Sequence, residues 1–154
     1  MNFKTRLKIY IGIAIFLIIT FFVKDSQPSQ QLPKIGSIPQ FEFIDSNGNT
    51  VTLNNLKGKV WVDYFIFTTC TMACPMMTGN MNLVHKKFKK NDDVRLVSIS
   101  VYPEYDTPDV LKEYASQYDA DTEKWLFLTG DESSVKNIIK DGFKIGDFEE
   151  IIFH

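Results

Sequence analysis

The chain has 154 residues, 44% hydrophobic and 14% aromatic, which is enough apolar material for one compact domain with a sizeable core. Seventeen basic residues against nineteen acidic give a net charge of −2, and beyond Asp25 thirteen bases face eighteen acids, a balance that excludes a nucleic-acid binder. Two cysteines cannot staple a small secreted scaffold, so Cys70 and Cys74 must be read locally, as a redox couple, a metal clip or an incidental pair.

Ile9 to Val23 (IYIGIAIFLIITFFV) is an uncharged apolar run of 15 residues preceded by Lys4, Arg6 and Lys8. A spanning helix needs about 20 residues, and snorkelling of Lys8 and Lys24 makes up the difference. No small-x-small cleavage site follows Val23, so the run reads as an uncleaved transmembrane anchor over 9–24 rather than a signal peptide. The basic flank then keeps a tail of residues 1–8 in the cytoplasm and places the rest on the extracytoplasmic side of the cell membrane. Residues 25–36 (DSQPSQQLPKIG) are polar and proline-containing, a linker that leads into a domain over 37–154.

Within the domain, Phe41–Ile44 and Thr50–Leu53 flank Asp45-Ser46-Asn47-Gly48-Asn49, a strong hairpin signal. Val60 to Phe67 (VWVDYFIF) is apolar on both faces and predicts a central strand that runs straight into the cysteines. After Pro75, Met77, Met81, Val84 and Phe88 recur at helical spacing and predict a helix that packs this face on the sheet. Lys86, Lys87, Lys89 and Lys90 at its end suit the macrodipole and read as a solvated face. Val94–Val101 predicts a second central strand, and Thr107-Pro108-Asp109 supplies the cap, first-turn proline and acid of a helix running to about Tyr118. A strand over Trp125–Leu128, a helix over Ser133–Lys140 closed by Gly142, and a last strand over Glu150–Phe153 complete the pattern. Alternating strands and helices imply an α/β fold with a largely parallel sheet, in which a strand-to-helix switch is a preferred place for a site.

Cys70-Thr71-Met72-Ala73-Cys74-Pro75 occupies such a switch. Proline disfavours the helical conformation at the residue before it, so Cys74 is expected at the N-cap with Pro75 as the first helical residue. Both sulfurs then lie near the positive end of a helix, which favours thiolate over thiol. Two thiolates from so short a loop converge on one soft ion, and reduced copper prefers sulfur. A third ligand must come from elsewhere, and the only histidines are His85 and His154. His85 falls mid-helix, off the apolar stripe, and is expected at the surface or its boundary, whereas His154 follows a strand whose return could bring it to the loop.

The segments LKGKVWVDYFIFTTCTMACPMMTGNM (56–81), VSISVYPEYDTP (97–108), WLFLTG (125–130), GFK (142–144) and IIFH (151–154), in this order, resemble the SCO/SenC family, particularly its Gram-positive bacterial members. The likeness covers roughly Gln40 to His154. It implies a thioredoxin-like fold in which Cys70, Cys74 and His154 bind Cu(I) or Cu(II). It also implies a copper chaperone or thiol reductant in maturation of the CuA centre of cytochrome c oxidase, with oxidase subunit II as partner and one N-terminal helix as anchor. Two departures stand out. Family members usually continue past this histidine with a strand, a turn and a final helix, so the domain is expected to be C-terminally incomplete, and Tyr102 stands where an aspartate is common.

Three rival readings share the same residues. A membrane-anchored thiol-disulfide oxidoreductase would use Cys70 and Cys74 as a redox pair cycling through a disulfide, although its usual signature is Cys-x-x-Cys. A peroxidase would need an arginine at the thiolate, and Arg95 lies on the next strand. A structural zinc clip falls one ligand short. Asp63, the sole charge in its strand, is expected either as a satisfied structural carboxylate or as a proton acceptor near the thiols. Met72, Met76 and Met77 are soft potential ligands or core fillers. Asp106 is expected to begin the turn that caps the next helix.

Overall fold

The computed structural model describes residues 11–16 and 33–146. They fall into two compact units, Met1–Ile35 and Gly36–His154. In the first, residues 11–16 form helix α1 with all six positions exposed. No helix among the described residues is long and apolar enough to cross a membrane. The remainder of the expected anchor, most of the linker, the strand over 150–153 and His154 lie outside the described residues.

The second unit is a mixed sheet with helices on both faces. Strand β1 (Glu42–Asp45) turns into β2 (Thr50–Thr52) through the expected hairpin. Asp45 accepts hydrogen bonds from the amides of Asn47 and Asn49, each at 2.8 Å, while Gly48 takes a φ of 82° that glycine adopts without strain. A short helix α2 (Leu53–Leu56) follows where the second hairpin strand was expected to end. Then come β3 (Val60–Ile66), α3 (Ala73–Phe88), β4 (Val94–Ser100), α4 (Pro108–Ser116), β5 (Trp125–Thr129) and α5 (Glu132–Asn137). A wide π turn closes α5 over Ile138–Gly142, with Phe143 N–H bonded to the Ile138 carbonyl at 3.0 Å.

The strand order is β2-β1-β5-β4-β3. The last three strands are parallel, and β1 joins β5 and β2 antiparallel, so the sheet is mixed. Side chains alternate across it with the two-residue period of strands. Tyr64, Ile66, Leu96, Trp125 and Phe127 face α3 and α4, packing with Leu111, Tyr114 and Ala115. On the other face Phe43, Val97, Ile99 and Leu128 meet Val135, Ile138 and Ile139, with Trp61 and Phe65 added at the margin.

Three expectations need correction. Val60–Ile66 is not central: it pairs only with β4 among the described strands, and Val60 and Val62 are exposed because the helices cover only Tyr64 and Ile66. Of the expected stripe on α3, Met81 and Val84 pack against the core while Met77 is exposed, and the most deeply buried positions are instead Cys74, Thr78 and His85. Its N-cap is Met72, which puts Cys74 and Pro75 inside the first turn. First-turn amides have no intrahelical acceptor, so a proline there removes nothing the helix needs.

Candidate metal centre

Strand β3 delivers the chain to Thr68 at the end of the parallel sheet, and Asp106 fixes it there. The Asp106 carboxylate, fully buried, accepts from Thr68 N–H at 3.2 and 3.3 Å, from Thr68 Oγ1 at 2.5 Å and from Ser100 Oγ at 2.6 Å. Ser100 Oγ in turn accepts from Tyr102 N–H at 3.0 Å. One carboxylate thereby ties the loop before the cysteines to the end of β4. It is not the helix cap: Thr107 caps α4, accepting from Val110 N–H at 3.4 Å. The sequence signal for this role was present in the Asp-Thr-Pro string, but only the fold shows that Asp106 points inward.

Beyond Thr68 the chain turns, with Cys70 N–H bonded to the Phe67 carbonyl at 3.1 Å, and enters α3. The Cys74 N–H, one of the first-turn amides without an intrahelical acceptor, donates to Cys70 Sγ at 3.3 Å. Both cysteines are free thiols, Cys70 half-buried and Cys74 buried. Their acidities diverge. Desolvation would raise the Cys70 thiol, but hydrogen bonds from the backbone of Cys74, Met72 and Ala73 and from the Cys74 side chain outweigh it and hold Cys70 below its ordinary value. Burial pushes the Cys74 thiol up, and the neighbouring Cys70 and Asp106 charges add to that, against one opposing hydrogen bond from the Phe67 backbone. The pair thus sets a more acidic, half-buried thiol in front of a less acidic, buried one.

Beneath Cys74 sits a polar knot absent from the sequence reading. Thr78, fully buried, donates to the Cys74 carbonyl at 2.8 Å and receives the Tyr64 hydroxyl at 3.2 Å. Its contact with the Tyr114 hydroxyl at 2.7 Å must then run from tyrosine to threonine, since Thr78 has a single proton to give. Burial pushes Tyr64 up to about 12 and moves Tyr114 further in the same direction, so both phenols stay neutral donors. Beside Cys70 a cleft of about 450 Å³ opens toward α4, walled by Pro75, Tyr105, Val110, Tyr114 and Tyr118.

Of the three expected ligands, the structure brings Cys70 and Cys74 together, and His154 lies outside the described residues. No cluster of three histidine, cysteine or acidic side chains suited to a metal occurs among the described residues. The thiols nevertheless suit a soft ion: two sulfurs reach from one loop, and the carboxylate of Asp106 is already taken up by hydrogen bonds to Thr68 and Ser100.

The other candidates are placed apart from the pair. His85 is not at the surface: it is 3% exposed, its ring centroid 5.5 Å from that of Trp125, with Nε2 accepting from Asp121 N–H at 3.4 Å. Desolvation lowers its pKa, consistent with a neutral core histidine. Asp63 is neither satisfied nor near the thiols. It shares a face with Trp61 and Phe65, against Phe143, on the side of the sheet opposite α3, and its Oδ1 has no hydrogen-bond partner among the described residues. Arg95 donates to the carbonyls of Asp92 and Val94 at the far end of β4, which removes the arginine a peroxidase would need.

Fold and site together define a thioredoxin-like α/β protein with a dithiol at a strand-to-helix switch. The chain belongs to the SCO1/SenC family, whose model matches residues 29–147. It is 37% identical over 140 residues to the SCO1 protein homolog of Bacillus subtilis, an alignment covering 90% of this chain and 72% of that one. It resembles the solved structure of BsSco, a member of the Sco family of cytochrome c oxidase assembly proteins, with TM-score 0.67, 40% identity, and 74% of this chain and 67% of that one covered. It also resembles copper-bound ScoI of Bradyrhizobium japonicum, with TM-score 0.62, 33% identity, and 69% and 66% covered.

Proposed function

We propose that this chain binds copper through Cys70, Cys74 and His154 and assists assembly of the CuA centre of cytochrome c oxidase, delivering the ion to subunit II. The observation that carries this reading is the thiol pair, in which Cys70 Sγ takes the free amide of Cys74 at 3.3 Å, a bond that favours the thiolate form a soft metal needs. Membership in a family with copper-bound and oxidase-assembly relatives supports it. The apolar N-terminal run supports a single membrane anchor, which would hold the domain on the extracytoplasmic side where oxidase copper sites are filled. Copper is cargo here, held by ligands that exchange.

The test is an anaerobic titration of the full chain in detergent with Cu(I) and then Cu(II), following stoichiometry and the thiolate-to-copper charge-transfer band. Cys70→Ala, Cys74→Ala and His154→Ala are each expected to abolish tight binding. Unchanged affinity in His154→Ala would strike the histidine from the ligand set. The difference between the two thiols favours a second reading, a thiol-disulfide reductase. In it Cys70 thiolate attacks a partner disulfide, and Cys74, losing its proton to water, displaces the reduced partner to leave a Cys70–Cys74 disulfide. Disulfide reduction by a chain that takes up no copper would select this reading.

A further inference from the structure

All methionines except Met1 fall between positions 72 and 81. Met81 packs against the core around Tyr64 and Trp125, the ordinary use of this side chain. The other three do not: Met72 is 84%, Met76 67% and Met77 42% exposed. Core filling therefore accounts for one of the four. Met72 is the N-cap of α3 and Met76 lies in its first turn, so both exposed thioethers belong to the helix end that carries the cysteines. Cys70, itself half-buried, lies two residues before Met72. Thioethers are soft, neutral ligands that hold Cu(I) without releasing a proton, and more weakly than thiolates.

We propose that Met72 and Met76 form a second, weaker Cu(I) site that receives the ion before Cys70 and Cys74 bind it. The inference rests on the copper-binding reading above. The transfer is ligand exchange with copper remaining Cu(I). Copper–thioether bonds break as copper–thiolate bonds form, first to half-buried Cys70 and then to buried Cys74, each thiol giving its proton to water. The order follows from exposure, since the outermost sulfurs meet the incoming ion before the buried one.

The test uses the full chain in detergent, carrying methionine labelled with carbon-13 at the methyl group, with the Cu(I)–acetonitrile complex as probe. In Cys70→Ala/Cys74→Ala, the methyl resonances of Met72 and Met76, assigned through the single Met→Leu variants, are expected to shift while Met81 stays in place. With the thiols intact, Met72→Leu/Met76→Leu is expected to slow Cu(I) loading roughly tenfold, the loss of local concentration beside the thiols, with final stoichiometry unchanged. Leucine keeps the apolar surface, so an effect of docking alone would survive this substitution and leave the rate unaltered, which overturns the inference. Unmoved Met72 and Met76 resonances in a chain whose thiols still bind one copper also overturn it, with the copper-binding reading intact. No Cu(I) uptake by the unsubstituted chain overturns both.

Discussion

At the residue scale, two carboxylates in similar company have opposite fates because one is bonded and the other is not. Asp106 satisfies Thr68 and Ser100 from a fully buried position, so Asp106→Ala strands two hydroxyls and an amide. A loss of about 3 kcal/mol in urea unfolding is expected, with Asp106→Asn losing less. Asp63 has Trp61 and Phe65 beside it and no partner for Oδ1, and desolvation raises its pKa from 3.8 to about 8. Below pH 4 or so folded and unfolded chains both hold the proton. Between that pH and about 8 the unfolded chain gives it up while the native chain retains it, so stability falls as pH rises, and the penalty is complete above 8. Asp63→Asn, a fixed stand-in for the protonated acid, is expected to flatten this decline and to gain on the order of 3 kcal/mol at alkaline pH. Unfolding series at acidic and alkaline pH check it: a decline of equal size in the variant would show that Asp63 is not the titrating group.

At the scale of elements, the described strands and the helices other than α2 were legible because each carries its period and its punctuation. The hairpin was announced by Asn47-Gly48, α4 by Thr107-Pro108-Asp109, and β4 and β5 by short apolar runs. Helix α3 was found, but its buried face only in part. Hydrophobicity pointed to Met77, Met81, Val84 and Phe88, of which Met81 and Val84 pack on the core, but the deepest positions are Thr78 and His85, which find hydrogen-bond partners only once Tyr64, Tyr114 and Asp121 are brought to them. Thr78→Val keeps the shape of the side chain and removes what the two tyrosine hydroxyls and the Cys74 carbonyl bond to. It is expected to destabilise by about 1–3 kcal/mol. The loss should shrink when Tyr64→Phe and Tyr114→Phe are added, a cycle in denaturant unfolding that separates the bonds from the packing.

For the whole molecule, the hairpin closes the sheet on the far side from the cysteines and depends on one close approach. A Cβ on Gly130 would come within 2.5 Å of the Phe43 ring, which is fully buried and has nowhere to yield. Gly130→Ala is expected to destabilise by about 1–3 kcal/mol, as overpacking does. An unchanged thermal midpoint would mean that the ring relocates. The sequence by itself determined the element order, the strand-to-helix place of Cys70 and Cys74 and the family resemblance, because periodicity, turn chemistry and a compact motif are all local. Only the tertiary structure decided that β3 lies at the margin of the described sheet, that Asp106 rather than Asp63 holds the cysteine loop, and that Cys70 and Cys74 differ in acidity. Those properties depend on which distant groups a fold brings within hydrogen-bond reach and which it seals from water, and neither is written in local spacing.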